Sequence, residues 1–155
     1  MQIKAEQKEV RLEHLMPLIQ SQLAAGKTVR FRPQGVSMLP MLRPGVDEVE
    51  ISPLPERLKK YDLPLYRRQN DHFVLHRVIA VGDTYTCIGD NQFKPEPGLQ
   101  HSQMIALVTA FYRGKKRYTV DVWHYRLYCR LWHCSRPVRH FWHRGIRWLR
   151  RHLKK

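Results

Sequence analysis

The sequence predicts a mainly β protein: a coiled antiparallel β domain preceded by a short helix and followed by an amphipathic helical tail. Short segments with strand periodicity recur from Thr28 onward. No strand–helix alternation of the parallel type accompanies them. Ten prolines are spread through 155 residues, and Pro40, Pro44, Pro53 and Pro55 crowd a stretch too broken for helix.

Each element follows from local pattern. Leu12, Leu15, Met16, Ile19 and Leu23 recur at helical spacing, with Gly26 as the stop. Pro17 interrupts them, so the firm helix is expected to begin there, with proline in its first turn. Thr28–Arg32 alternates, with Val29 and Phe31 on one face and Arg30 and Arg32 on the other. Further strands are expected at Val49–Ile51, Leu63–Arg67, His72–Val81, Tyr85–Ile88 and Ile105–Arg113. The chain divides into a helical segment (1–27), a β domain (28–119) and a tail (120–155).

Charge is concentrated at one end. Lys and Arg number 28 against 13 Asp and Glu, a net +15. Residues 121–155 carry ten Lys/Arg and one acid, together with all four tryptophans and five of the nine histidines. This excess implies a polyanionic neighbour, a nucleic acid or an anionic lipid surface. Three cysteines, an odd count without framework spacing, exclude a disulfide scaffold and point to a reducing compartment. No apolar run approaches the roughly 18–20 residues of a membrane span. The first residues, of mixed charge, lack the apolar core of a secretory signal, so a cytoplasmic protein is expected.

Three polar residues stand in unusual surroundings. Ser37 lies in Gly35-Val36-Ser37-Met38-Leu39-Pro40, where glycine permits close backbone approach and proline blocks regular pairing. Such a segment presents a hydroxyl and a backbone N–H to a substrate, or is an ordinary turn. His76 lies in Phe73-Val74-Leu75-His76-Arg77-Val78-Ile79; on a strand it shares a face with Val74 and Val78, as a base or as a satisfied core histidine. Asp90, in Gly89-Asp90-Asn91, is a carboxylate for the site or a turn residue. Together they supply a hydroxyl nucleophile, a base titrating near pH 6.5 and a carboxylate to orient it. Asp83, after Gly82, is a second carboxylate or, as favoured here, a hairpin-turn residue. Asp62 and Asp71 read as surface loop residues.

These blocks resemble the signal peptidase and LexA-like (S24/S26) serine peptidase superfamily, nearest its small bacterial members with the Ser/His pattern of archaeal and endoplasmic-reticulum signal peptidases. The resemblance spans about residues 29–113. It implies a LexA/signal-peptidase β fold and a serine endopeptidase needing no cofactor or metal, with Ser37 as nucleophile and His76 as general base. His76 stands where bacterial signal peptidases have lysine, and Asp90 would hold the imidazole tautomer. Activity is expected to fall below about pH 6.5, as the base protonates. Gly35, Met38 and Pro40 are expected to contact the substrate. Met38, Leu39, Met41 and Leu42 line the cleft or cap the core. Two departures stand out. Gly35 replaces the serine that assists the oxyanion in some bacterial members, leaving backbone N–H groups such as that of Ser37. The usual N-terminal membrane anchor is not evident.

The tail carries a helical apolar stripe: Trp123, Leu127, Leu131, Cys134, Val138, Trp142, Ile146, Leu149 and Leu153. Ser135-Arg136-Pro137 breaks it into two helices, with Ser135 as N-cap. A basic amphipathic helix with boundary tryptophans suits a segment lying in the plane of an anionic membrane, placing the protein on the inner face of the cell membrane beside a precursor or leader peptide. The alternatives are a helix packed on its own β domain, or a nucleic-acid-binding arm. His124, Cys129, His133, Cys134, His140 and His143 match no standard zinc-ligand spacing. For the whole chain, the competing functions are a peptidase-fold scaffold without activity and a basic nucleic-acid binder.

Overall fold

A computed structural model describes residues 12–142. Helix α1 (Leu12–Ala24) leads into nine strands: β1 (Val29–Phe31), β2 (Glu48–Ser52), β3 (Pro64–Arg67), β4 (Phe73–Leu75), β5 (Arg77–Val81), β6 (Tyr85–Ile88), β7 (Glu96–Leu99), β8 (Met104–Arg113) and β9 (Lys116–Thr119). Helix α2 (Trp123–Cys134) follows, and after a turn at Ser135 a further helix, α3 (136–142), runs to the last described residue. The mainly β expectation holds. Every strand pair is antiparallel, in a six-stranded sheet ordered β1-β2-β8-β3-β4, with β9 also on β8, and a three-stranded sheet ordered β5-β6-β7.

Helix α1 extends through Pro17, a turn earlier than expected. Met16, Ile19 and Leu23 are buried in the main core, and that burial outweighs the single backbone bond a proline forfeits. Its end satisfies the last carbonyls: Gly26, at φ +71°, donates to Leu23 O at 2.9 Å, and Lys27 donates to Gln22 O at 3.0 Å.

Two cores result. The larger packs α1 and α2 against the six-stranded sheet through Met16, Ile19, Val49, Ile51, Leu65, Ala106, Val108, Tyr125 and Cys129. The smaller joins the two sheets through Tyr66 and Met104 on one side and Val78, Tyr85, Cys87 and Leu99 on the other. Helices α1 and α2 thus share the core of the β body.

The segment expected as one strand over His72–Val81 is two. Strands β4 and β5 belong to different sheets, and His76 is the residue between them. Side-chain alternation continues across the break: Phe73 and Leu75 pack on the larger core, Val74 and Val78 on the smaller.

The tail has two faces. Tyr125 and Cys129 are buried against the body, with Tyr128 and Trp132 half-buried beside them. The stripe of Trp123, Leu127, Leu131, Cys134, Val138 and Trp142 faces away and is exposed, as is Phe141. Ile146, Leu149, Leu153 and His143 lie outside the described residues, as do residues 1–11. Ser135 breaks the helix without acting as its N-cap. Its backbone is helical (φ −75°, ψ −5°), so its hydroxyl points back and donates to Trp132 O at 3.1 Å. Among the described residues no helix is long and apolar enough to cross a membrane.

Candidate active site

Ser37 is the middle residue of a 3-10 turn, Val36–Met38, entered from extended backbone at Gly35 and left through extended backbone at Leu39. As the second residue of that turn its N–H has no acceptor within it, which leaves a donor beside the hydroxyl. The turn is held from behind by the Gly89–Asn91 segment. Asn91 N–H donates to Ser37 O at 2.8 Å, and Asn91 Nδ2 donates to Val36 O at 3.3 Å. Gly89 presses so close that a Cβ there would lie 2.7 Å from Ser37 O and 3.1 Å from Ser37 Cβ. This approach is why glycine stands in the Gly-Asp-Asn block.

Ser37 and His76 line one cleft of about 240 Å³, together with Phe31, Gly35, Met38, Leu65, Arg68 and Gln92 among others. No direct hydrogen bond joins the Ser37 hydroxyl to the His76 ring among the described residues. Of the residues expected to contact substrate, Gly35 and Met38 line this cleft. Pro40 does not: extended backbone at Leu39 carries it away to a separate cavity bounded by Met41, Phe111, Arg113, Tyr118 and α2. Met38, Met41 and Leu42 are buried in the larger core, so they cap it, and Met38 also forms part of the cleft.

The ring of His76 is 1 % exposed and held through Nδ1, which lies 3.1 Å from the Tyr66 hydroxyl and 3.3 Å from Glu96 Oε1. Tyr66 O–H donates to Glu96 Oε2 at 3.0 Å. The phenol proton is thereby used, so Nδ1–H is the donor toward Tyr66 and Glu96, and Nε2 keeps its lone pair. Arg68 completes the cluster, donating from Nε to Glu96 Oε2 at 2.9 Å and from Nη2 to Glu96 Oε1.

Burial pushes the His76 pKa down to about 4; the Arg68 charge works in the same direction, while Glu96 and Asp90 oppose it. The imidazole is therefore neutral across the physiological range. Burial would raise the Glu96 carboxyl, but hydrogen bonds from Arg68 and Tyr66 and the nearby His76 and Arg68 charges hold it below the ordinary range. Burial pushes the Tyr66 phenol well up, so it stays protonated.

Asp90 does not meet His76 as expected. Its two oxygens accept from Arg77, at 2.8 Å from Nε and 2.7 Å from Nη2, an ion pair in which both side chains are at most 1 % exposed. Arg77 also donates to Tyr61 O, Tyr125 Oη and Cys129 Sγ from Nη1 and to Met41 Sδ from Nη2. The physical reason is alternation. Arg77 follows His76 in the chain and points to the larger core, where Asp90 is the available carboxylate, while His76 opens on Tyr66 and Glu96. The tail also reaches this point: Trp132 Nε1 donates to Asp90 O at 2.9 Å and Arg139 Nη1 to the same oxygen at 3.3 Å.

The remaining acids fall in place. Asp83 is exposed in the β5–β6 turn, where Gly82 N–H donates to Thr84 O at 3.1 Å, consistent with the favoured turn role. Asp71 is exposed. Asp62 is half-buried and accepts from Lys59 N–H at 2.8 Å. Asp47, unremarked in the sequence, is fully buried and clasped by Arg43, with its Oδ1 2.6 Å from Nη2; this closes the loop that follows the serine turn. Among the described residues no three His, Cys, Asp or Glu side chains are grouped as metal ligands would be. No protein-family model matches the chain, and no curated protein matches it.

Proposed function

We propose that this protein is a serine endopeptidase of the signal-peptidase and LexA-like (S24/S26) type, acting on a peptide or precursor. In this reading Ser37 Oγ attacks the scissile carbonyl and His76 Nε2 takes its proton. The tetrahedral oxyanion is held by backbone N–H groups, that of Ser37 among them, and the imidazolium returns the proton to the leaving amine. Glu96, through Nδ1 and with Tyr66, takes the orienting role the sequence had suggested for Asp90. Asp90 and Arg77 brace the Gly89–Asn91 segment on which the serine turn rests.

The single observation carrying this reading is the shared cleft: a serine in the middle of a 3-10 turn lines the same cavity as a neutral histidine whose Nδ1 is held by a carboxylate. Ser37 and His76 reach it from distant parts of the chain, and Glu96 sits against the His76 ring.

The test is turnover. Wild type, Ser37→Ala and His76→Gln are incubated with a proteome-derived peptide library, and new termini are read by mass spectrometry. New termini with wild type alone, both variants remaining folded, support the proposal; equal cleavage by Ser37→Ala overturns it. The missing direct Ser37–His76 hydrogen bond favours a second reading, a peptidase-fold binding protein. That reading predicts no new termini with wild type.

A further inference from the structure

Among the described residues, six of the nine exposed large hydrophobic side chains lie on the tail. Trp123, Leu127, Leu131, Val138, Phe141 and Trp142 are each between 45 % and 75 % exposed and continue from α2 into α3. Single exposed apolar residues are ordinary, but an aligned series along two consecutive helices marks an interaction surface. The body face is already occupied by Tyr125, Tyr128, Cys129 and Trp132, so the exposed series is not awaiting its own domain.

Charge decides the occupant. No Asp or Glu occurs after Asp121, and Arg126 and Arg130 stand exposed on α2 between the apolar positions. A second copy of the same ridge would set two wholly cationic faces against each other. A nucleic acid would satisfy the arginines and leave the indoles and leucines wet. An anionic bilayer meets both needs, with acyl boundary for the apolar ridge and phosphates for the arginines.

We propose that residues 123–142 form an interfacial helix pair that seats the protein on an anionic membrane surface. Phe93 stacks edge-on against His140 of α3, with ring centroids 4.9 Å apart, and the preceding Gln92 lines the Ser37 cleft. The seat and the cleft therefore adjoin. Binding itself requires no catalysis, so failure here leaves the peptidase reading standing, and the reverse holds too.

The full chain is sedimented with large unilamellar vesicles of phosphatidylcholine alone or with about 30 % phosphatidylglycerol. Binding should be at least about tenfold stronger with the anionic lipid and should weaken as salt rises. Leu131→Glu combined with Trp142→Glu, both at exposed positions, should lose about tenfold or more with an unchanged Tm. Ser37→Ala should bind as wild type does. Equal binding to both vesicle types, wild-type binding by the double variant, or a wild-type dimer that the double variant dissociates without vesicle binding would each overturn the proposal.

Discussion

Gly89→Ala tests whether the serine turn is placed by the contact behind it. Gly89 is not at positive φ, so alanine suits its backbone, and the perturbation is purely steric. The new Cβ would stand 2.7 Å from Ser37 O and 3.1 Å from Ser37 Cβ. An ordinary contact to that oxygen is about 3.2 Å or more, and the obstacle is backbone, so the two segments must part by roughly 0.5 Å. The Asn91 N–H to Ser37 O bond, now 2.8 Å, would stretch toward the edge of hydrogen-bonding range. Overpacking of this kind costs about 1–3 kcal/mol, a Tm loss of roughly 3–10 °C in a chain of this size. Misplacing a nucleophile by up to about 1 Å costs as much as 10²-fold in rate, so peptide cleavage should fall by roughly 10- to 100-fold. The assay is initial cleavage rate on a peptide drawn from the library experiment, with Gly82→Ala in the exposed β5–β6 turn as control. A Gly89→Ala protein within twofold of wild type in rate and with unchanged Tm would refute this account of how Ser37 is positioned.

Other outcomes follow from the same geometry. Glu96→Gln keeps the shape but removes the charge that steadies the imidazolium, so kcat should drop by about 10²-fold or more while Tm changes little; a Tm collapse with normal specific activity would make Glu96 structural. Because His76 is pushed down to about 4, kcat/KM should hold as pH falls through 6.5 and decline toward pH 4; Arg68→Gln, by freeing the Glu96 charge to act on the ring, should move that limb upward by up to about one pH unit. The same shift lowers stability. The unfolded chain takes up a proton at its normal value while the folded ring resists, so stability is full above about pH 6.5 and about 3 kcal/mol is lost as pH falls to about 4, measurable by denaturant titration across that window. Asp90→Asn should cost about 3–5 kcal/mol by leaving Arg77 buried without its counter-ion, and the acid limb should move to lower pH, since the Asp90 charge is one of those that hold the ring's pKa up. An Asp90→Asn protein of normal stability with kcat reduced about 10⁴-fold would restore Asp90 to the role of His76 partner.

Much of the fold was legible because period-two alternation is a local signal. Strands β1, β3, β6 and β8 lie within a residue or two of where alternation placed them. The break at His76 was not legible, since the alternation of Val74, Leu75, Arg77 and Val78 runs through it unbroken while the chain changes sheets. Strand β7 escaped because Glu96-Pro97-Gly98-Leu99 is poor strand sequence; as an edge strand of the smaller sheet it tolerates proline. Glu96 escaped with it, since its pairing to His76 depends on which strand lies across from which. Strand β9 was signalled only by Gly114, at φ +60°, between Arg113 and Lys116. In the tail, periodicity found the apolar stripe but could not say which face docks. The docked face is built from tyrosines, a cysteine and a tryptophan, whose partners Arg77 and the Asp90 carbonyl only the fold brings near.

The position of His76 at the seam between the sheets has an implication for the newborn chain. Its neighbours Tyr66 and Glu96 come from opposite sides of that seam, one from each sheet. A molecule whose smaller sheet has yet to form has neither the Gly89–Asn91 brace behind its serine turn nor an oriented imidazole beside it. On the peptidase reading, maturation of the fold is what arms the enzyme, and half-made copies are harmless to themselves and to nascent neighbours.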